Sequence, residues 1–275
     1  MAIPILQRLE HFYDALPRLS ARTEEYGGLV LFVRDGPGWP FYARPILDGT
    51  TPPSAADIMA ARERQRDLGM PESFEWVHET TPTLLEVARS AGLAVHEAPL
   101  MVLDPAVLPE PPDAGVRMLD PAAAGFGADT EAARAVAAVG FGTPGTAVGA
   151  PGPAERDAAR VALDAAAVEE ERSATLAGRR FTAVASLPGV GPAASGIGMR
   201  AGDVVEIAGV ATLPTARRRG LAAAVTATLA RHALDHGADL VFLSASDDDV
   251  ARVYLSVGFR RVGTACIAEP APVPA

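Results

Sequence analysis

The chain has 275 residues, more than one ordinary domain needs, so two domains are expected. Hydrophobic residues make up 49% and charged residues 21%, which supplies sizeable cores and excludes a disordered chain. The formal charge of −10 opposes binding to nucleic acid or to anionic membranes, and every one of the 24 basic residues is arginine. No apolar run approaches the roughly 18 residues of a membrane span. The segment Met1–Leu19 reads as an ordinary helix, since it lacks a basic start and an unbroken apolar stretch. With the single cysteine Cys266 there is no internal disulfide and no cysteine-based zinc site, so a cytoplasmic protein is expected.

In chain order, strands are expected at Leu29–Val33 and Trp39–Arg44, around the turn Asp35-Gly36-Pro37-Gly38. A helix follows at Ala55–Leu68, and then a strand at Phe74–Val77. The proline-dense stretch from Asp104 to Asp113 excludes helix or sheet interior and reads as an extended spacer. The expected division is therefore residues 1–104, a linker 105–114, a second domain 115–269, and a frayed tail 270–275.

Beyond the spacer, the pattern gives a strand at Val116–Leu119 and a helix at Thr130–Val139. Gly140–Pro153 is rich in glycine and proline and reads as a loop able to move, and Ala154–Leu176 as one helix. Strands Arg180–Leu187 and Ala193–Met199 flank the turn Pro188–Pro192, and Asp203–Thr212 is a further strand. In the helix from Gly220 to His236, Leu221, Val225, Leu229 and Ala233 recur every fourth residue and share one face. A buried-type strand Leu240–Leu243, a helix Asp248–Val257 and a last strand Arg260–Ile267 complete an α+β (α/β) unit.

The strand ending at Thr212 passes through Leu213-Pro214-Thr215-Ala216-Arg217-Arg218-Arg219 to Gly220-Leu221-Ala222 at the start of a helix. The first N–H groups of a helix lack intrahelical partners and its dipole favours an anion there. Gly220 has no Cβ to hold a phosphate off, and three arginines at the positive end of a helix are unfavourable without a compensating anion. A Walker-type phosphate loop is excluded because no Gly-Lys-Ser/Thr follows.

Pro214, Arg217, Gly220 and Ala222 resemble the acetyl-CoA motif of the GNAT acetyltransferases, Arg/Gln-x-x-Gly-x-Gly/Ala after a strand and a proline. About 30 residues further on, Asp247, Ala251, Val253-Tyr254 and Gly258-Phe259 resemble that family's Asn-x-x-x-Ala-x-x-Leu-Tyr-x-x-x-Gly-Phe. The resemblance implies a GNAT fold, with a mixed, mostly antiparallel central sheet flanked by helices and a strand that splays from its neighbour. It implies acetyl-CoA as cosubstrate, an amine acceptor and direct attack in a ternary complex. Backbone N–H groups around Ala211, Thr212 and Leu213 would hold the pantetheine and polarise the thioester. Arg217, Arg218, Arg219, Gly220, Leu221 and Ala222 would hold the diphosphate, with Asp247 standing where the family has asparagine. Tyr254 would protonate the leaving thiolate, and Glu206 is the candidate base. Asp247 also reads as a helix cap. No metal is expected, since His232 and His236 lie one turn apart without a neighbouring glutamate. The alternative to an enzyme is a non-catalytic acyl-CoA-binding module that kept the loop and lost the base.

A shift of 166 residues lays Val87–Leu93 on Val253–Phe259 and Phe74–Val77 on Leu240–Leu243. Residues 1–104 thus resemble a smaller, degenerate GNAT-like half. Its Thr51-Pro52-Pro53-Ser54-Ala55-Ala56 faces the arginine loop and Ala88 faces Tyr254, so it is not expected to bind coenzyme A. Packing, shaping the acceptor cleft or supporting a homodimer are the roles open to it. The resemblance puts the acceptor beside Phe141–Pro153 and the turn Pro188–Pro192.

Overall fold

The computed structural model describes residues 4–36, 38, 40–110 and 115–271. The chain packs into two compact units: unit 1 is Met1–Leu100 with Val262–Ala275, and unit 2 is Met101–Arg261.

Unit 1 opens with α1 (Ile5–Arg18), then the antiparallel hairpin β1 (Ala21–Tyr26) and β2 (Leu29–Arg34). The sequence reading lacks β1 because Ala-Arg-Thr-Glu-Glu-Tyr has no apolar alternation; it is an edge strand, where charge discourages pairing with other chains. The next elements are β3 (Ala43–Pro45), α2 (Ala55–Asp67), β4 (Phe74–Val77), α3 (Leu84–Ser90) and β5 (Leu93–Leu103). The expected strand Trp39–Arg44 shrinks to β3, and its Trp39, like Pro37 of the preceding turn, lies outside the described residues. The core gathers Leu29, Leu31, Ile58, Phe74, Trp76 and Leu84.

Unit 2 runs through β6 (Val116–Met118), α4 (Phe126–Phe141), α5 (Pro153–Ala158), α6 (Ala165–Leu176), β7 (Arg180–Leu187), β8 (Gly191–Ala201) and β9 (Val204–Thr212). A 3-10 turn at Pro214–Ala216 leads to α7 (Leu221–Asp235), β10 (Leu240–Ser244), α8 (Asp248–Leu255) and the start of β11 (Phe259–Pro270). Strands β6 to β9 are antiparallel neighbours and β10 lies parallel to β9. On α7, Leu221, Val225, Leu229 and Ala233 are all buried in the unit's core, as their spacing requires. The single helix expected over Ala154–Leu176 is two. Asp164 accepts the Ala167 N–H at 2.8 Å and starts a new helix, while Glu131 of α4 accepts the Leu163 N–H at 3.0 Å in the break. Alanine-rich sequence supplies helical propensity on both sides of that break but no signal that locates it.

The packing boundaries differ from those expected at the proline-rich spacer. Its described part includes a 3-10 turn, Pro105–Val107, inside unit 2, and Pro111–Ala114 lie outside the described residues. The reason is an exchange of final strands. In unit 1, β11 from the far end of the chain stands between β4 and β5, pairing antiparallel with β4 from Ala265↔Val77 to Ala268↔Phe74. In unit 2, the last residues of β5, Met101–Leu103, stand between β10 and the first residues of β11. Without the exchange, β4 and β10 would each leave a row of backbone donors and acceptors unpaired.

The internal repeat is visible in the elements. The 166-residue shift carries β4 onto β10, α3 onto α8 and the start of β5 onto the start of β11. The pairing of β3 with β4 at Ala43↔Phe74 is parallel, as is that of β9 with β10, although the two registers differ.

Candidate coenzyme and acceptor site

The site is built where β9 parts from β10. The β9–β10 ladder holds only Leu240↔Val204, Val241↔Val205 and Phe242↔Glu206, although β9 continues to Thr212. Glu206 is therefore the last paired residue before the groove opens. On its other edge β9 pairs with β8, and the register slips between Ser195↔Ala211 and Ile197↔Ala208. Gly209 (φ +61°) and Val210 thus face the single Gly196, a bulge that bends the strand. A Cβ on Gly196 would lie 3.0 Å from both Val210 and Val225, so glycine lets the bulge sit on α7 without displacing those side chains. The sequence reading lacked this feature, although a glycine inside a strand pattern is its signal.

Of the three main-chain donors expected here, Leu213 is already used: its N–H donates to the Ala193 carbonyl at 2.8 Å, which prolongs the β8–β9 pairing. Ala211 pairs with Ser195 in the same register, so its N–H is also turned to β8; Thr212 alone faces the opened side, and its Oγ1 is buried without a hydrogen-bond partner. An orphaned hydroxyl costs about 1–3 kcal/mol unless a ligand or water meets it.

The loop then turns through two left-handed residues, Arg218 (φ +65°) and Gly220 (φ +75°). Arginine in that region costs roughly 1–2 kcal/mol, strain of the kind held at ligand sites. Gly220 is the N-cap of α7 and offers no side-chain cap, and the first intrahelical donor is Ala224, bonded to the Gly220 carbonyl at 3.0 Å. The N–H groups of Leu221, Ala222 and Ala223 precede that first bond. A Cβ at Gly220 would meet nothing within 4 Å, so the approach to these donors is open. The side chains of Arg218 and Arg219 are exposed beside them. An anion fits this cradle: main-chain donors, helix dipole and two cations converge on it.

Arg217 is disposed differently. Its guanidinium donates to three carbonyls, those of Gly140 (2.9 Å), Thr143 (2.5 Å) and Ala147 (3.2 Å). Partial burial lowers its pKa.

Tyr254 on α8 is buried in the same core cluster as Leu213, Ala216 and Leu221, edge-on to the Phe259 ring. Burial pushes its pKa up to about 12, so it is a neutral hydroxyl at any physiological pH. Asp247 does what its capping pattern implies: it accepts the Val250 N–H at 2.8 Å as N-cap of α8 and the Ser246 hydroxyl at 3.2 Å. Its carboxylate is committed to that helix end and would repel a phosphate. Cys266 is fully buried in unit 1, and burial raises its thiol pKa to about 12. Among the described residues no three metal-ligating side chains converge, and no helix is long and apolar enough to cross a membrane.

A strand that opens from its parallel neighbour, bulges and hands over to an uncapped helix defines an α/β unit with an anion-favouring junction. Residues 194–267, which span that strand, loop and helix, match the family model described as FR47-like protein. No curated protein matches the chain in sequence. Among solved structures, a GCN5-related N-acetyltransferase from Kribbella flavida is 26% identical with a TM-score of 0.68, over 98% of each chain. A tandem GNAT protein from the clavulanic acid biosynthesis pathway shares the fold at 14% identity and a TM-score of 0.51, over 90% of this chain and 80% of its own. So does an acetyltransferase-type GNAT structure from Novosphingobium aromaticivorans at 19% identity and a TM-score of 0.50, over 90% of each chain. Residues 194–267 and the fold of the chain are thus similar to those of GNAT superfamily proteins. Family and fold support an acyltransferase.

Proposed function

We propose that the chain is an acetyl-CoA-dependent N-acetyltransferase whose coenzyme site lies wholly in unit 2. The observation that carries the reading is the uncapped start of α7, with Arg218 and Arg219 exposed beside it, at the end of the opened stretch of β9. The N–H groups of Leu221 and Ala222 and the two arginines would neutralise the diphosphate. The main-chain donor of Thr212 would align the pantetheine and polarise the thioester carbonyl, and the orphaned Thr212 hydroxyl gains a partner.

Glu206, where β9 leaves β10, takes a proton from the acceptor amine directly or through water. The amine nitrogen forms its bond to the acyl carbon as the carbon–sulfur bond breaks. The Tyr254 hydroxyl donates to the departing sulfur; because burial keeps it protonated, the donor is in place across the physiological range. The acceptor enters from the side of Phe141–Pro153 and Pro188–Pro192. A single, buried cysteine agrees with a reducing, cytoplasmic setting.

Isothermal calorimetry with acetyl-CoA tests the site. One equivalent binds, and Arg219→Glu with Gly220→Asp weakens it by about tenfold or more, through added negative charge and a blocked approach. Unchanged affinity, or two equivalents bound, rejects the assignment. Acceptor-dependent release of free thiol across a panel of amines separates an enzyme from a coenzyme-binding module.

A further inference from the structure

We propose that Arg217, within the arginine run itself, is not a phosphate ligand but a positioning residue that clamps the acceptor-side loop to the coenzyme loop. The inference rests on the acetyltransferase reading for its functional meaning, and on geometry alone for the clamp.

The three neighbouring arginines divide their work. Arg218 and Arg219 are exposed at the mouth of α7, whereas the Arg217 guanidinium turns away and bonds the carbonyls of Gly140, Thr143 and Ala147. Gly140 lies in the last turn of α4, where carbonyls have no intrahelical donor and the dipole is negative, so a cation is favoured. Thr143 and Ala147 lie in the loop that follows. One planar fork therefore ties a helix end to two points of an irregular segment, which a lysine ammonium on a single point cannot reproduce.

Two main-chain bonds run parallel to the clamp: Gly149 N–H to the Pro214 carbonyl and Thr215 N–H to the Pro151 carbonyl, both 3.1 Å. Added Cβ atoms at Gly149 and Gly152 would lie 3.0 Å from Pro214 and 2.8 Å from Thr215, so the segments touch closely. The stretch Phe141–Pro153 contains no charged residue; besides Arg217, the Glu155 carboxylate accepts the Gly152 N–H at its far end, at 2.6 Å. Held this way, it exposes Phe141 and Val148. The loop read from sequence as free to close is thus fastened to the very turn expected to hold the coenzyme. Whatever moves the Pro214–Arg217 turn moves the acceptor wall with it, and Arg217 sets acceptor affinity more than coenzyme affinity.

Hydrogen exchange of the backbone amides in residues 141–149, without coenzyme, reads the clamp directly. In Arg217→Ala these amides exchange about tenfold faster or more, while those of β7–β9 are unaltered; Arg217→Lys recovers part of the protection. On the same proteins, calorimetry with coenzyme A shows affinity reduced by less than about threefold in either variant, against a larger loss in Arg218→Ala with Arg219→Ala. Unchanged loop exchange in both variants overturns the clamp. A tenfold loss of coenzyme affinity in both identifies Arg217 as a phosphate ligand and overturns the division of labour. Failure of the unaltered protein to bind coenzyme A would sink the acetyltransferase reading, yet faster loop exchange in Arg217→Ala would still establish the clamp.

Discussion

The two units present the same strand–turn–helix junction in opposite states. In unit 2 the residue before α7 is Gly220, left-handed and without a side-chain cap, so the helix start is open. In unit 1 the matching residue is Ser54, which forms a capping box with Asp57: the Ser54 hydroxyl accepts the Asp57 N–H, and Asp57 accepts the N–H of Ser54 at 2.8 Å and of Gly28 at 3.2 Å. A carboxylate thus occupies the place where an anion would bind, and burial notwithstanding its pKa is lowered by those donors. Pro52 and Pro53 replace two arginines, and Ala88, fully buried, replaces Tyr254. Unit 1 still keeps a cleft of about 410 Å³ beside β3, lined among others by Glu10, Ile46, Thr80 and Thr81. Both halves build the same junction, and on the proposed function the cap decides whether it takes a nucleotide.

The largest effect should come from moving the seal. Gly220→Ser with Ala223→Asp rebuilds the unit 1 capping box at the start of α7. It places a carboxylate among the anion donors and a serine at φ +75°. Acetyl-CoA affinity should fall by about two orders of magnitude, for the ~2–3 kcal/mol of charge-assisted bonds removed. Retained tight binding in a calorimetric titration would show that the helix start is not the anchor.

Next in size is Tyr254→Phe, which brings α8 closer to its counterpart in unit 1. Turnover should fall about tenfold or more with coenzyme affinity nearly constant, since the lost group is a proton donor. With the hydroxyl pKa near 12, the unaltered enzyme should show no loss of rate from tyrosine ionisation below about pH 10. An alkaline limb near neutrality that vanishes in Tyr254→Phe would contradict this.

The smallest effect sharpens the comparison from the other side. Glu75 of β4 stands where unit 2 has the apolar Val241, and burial raises its pKa to about 7, with Glu269 adding to the shift and Arg44 opposing it. Between about pH 4.5 and 7 the unfolded chain loses this proton while the folded one keeps it. Stability therefore declines as pH rises through that window and is flat above it. Glu75→Gln should raise the melting temperature at pH 8 by about 2–4 °C, roughly 1 kcal/mol, and leave it unchanged at pH 4. Equal shifts at both pH values would remove Glu75 from the linkage.

Much of unit 2 is legible in sequence because its signals are local. The fourfold spacing on α7, the glycine and proline around β7 and β8, and the Asp247 cap each depend on neighbours a few residues away. The polar edge strand β1 and the break between α5 and α6 are not, because one lacks periodicity and the other depends on Glu131, 32 residues from its partner Leu163.

At the site, composition and order pointed to an anion loop, but not to how the three arginines are disposed. That disposition depends on where the end of α4 arrives, at Gly140, 77 residues away. Nor did they reveal that Leu213 spends its N–H on Ala193.

The amino-acid order alone determined most of the elements, the repeat and the junction between β9 and α7, since these follow from periodicity, caps and turns within a few residues. Only tertiary structure decided that unit 1 is completed by a strand from the far end of the chain, that β9 bulges at Gly209, and that Arg217 serves the loop. Those outcomes are set by which distant backbone groups are left to pair, and short-range pattern does not encode that.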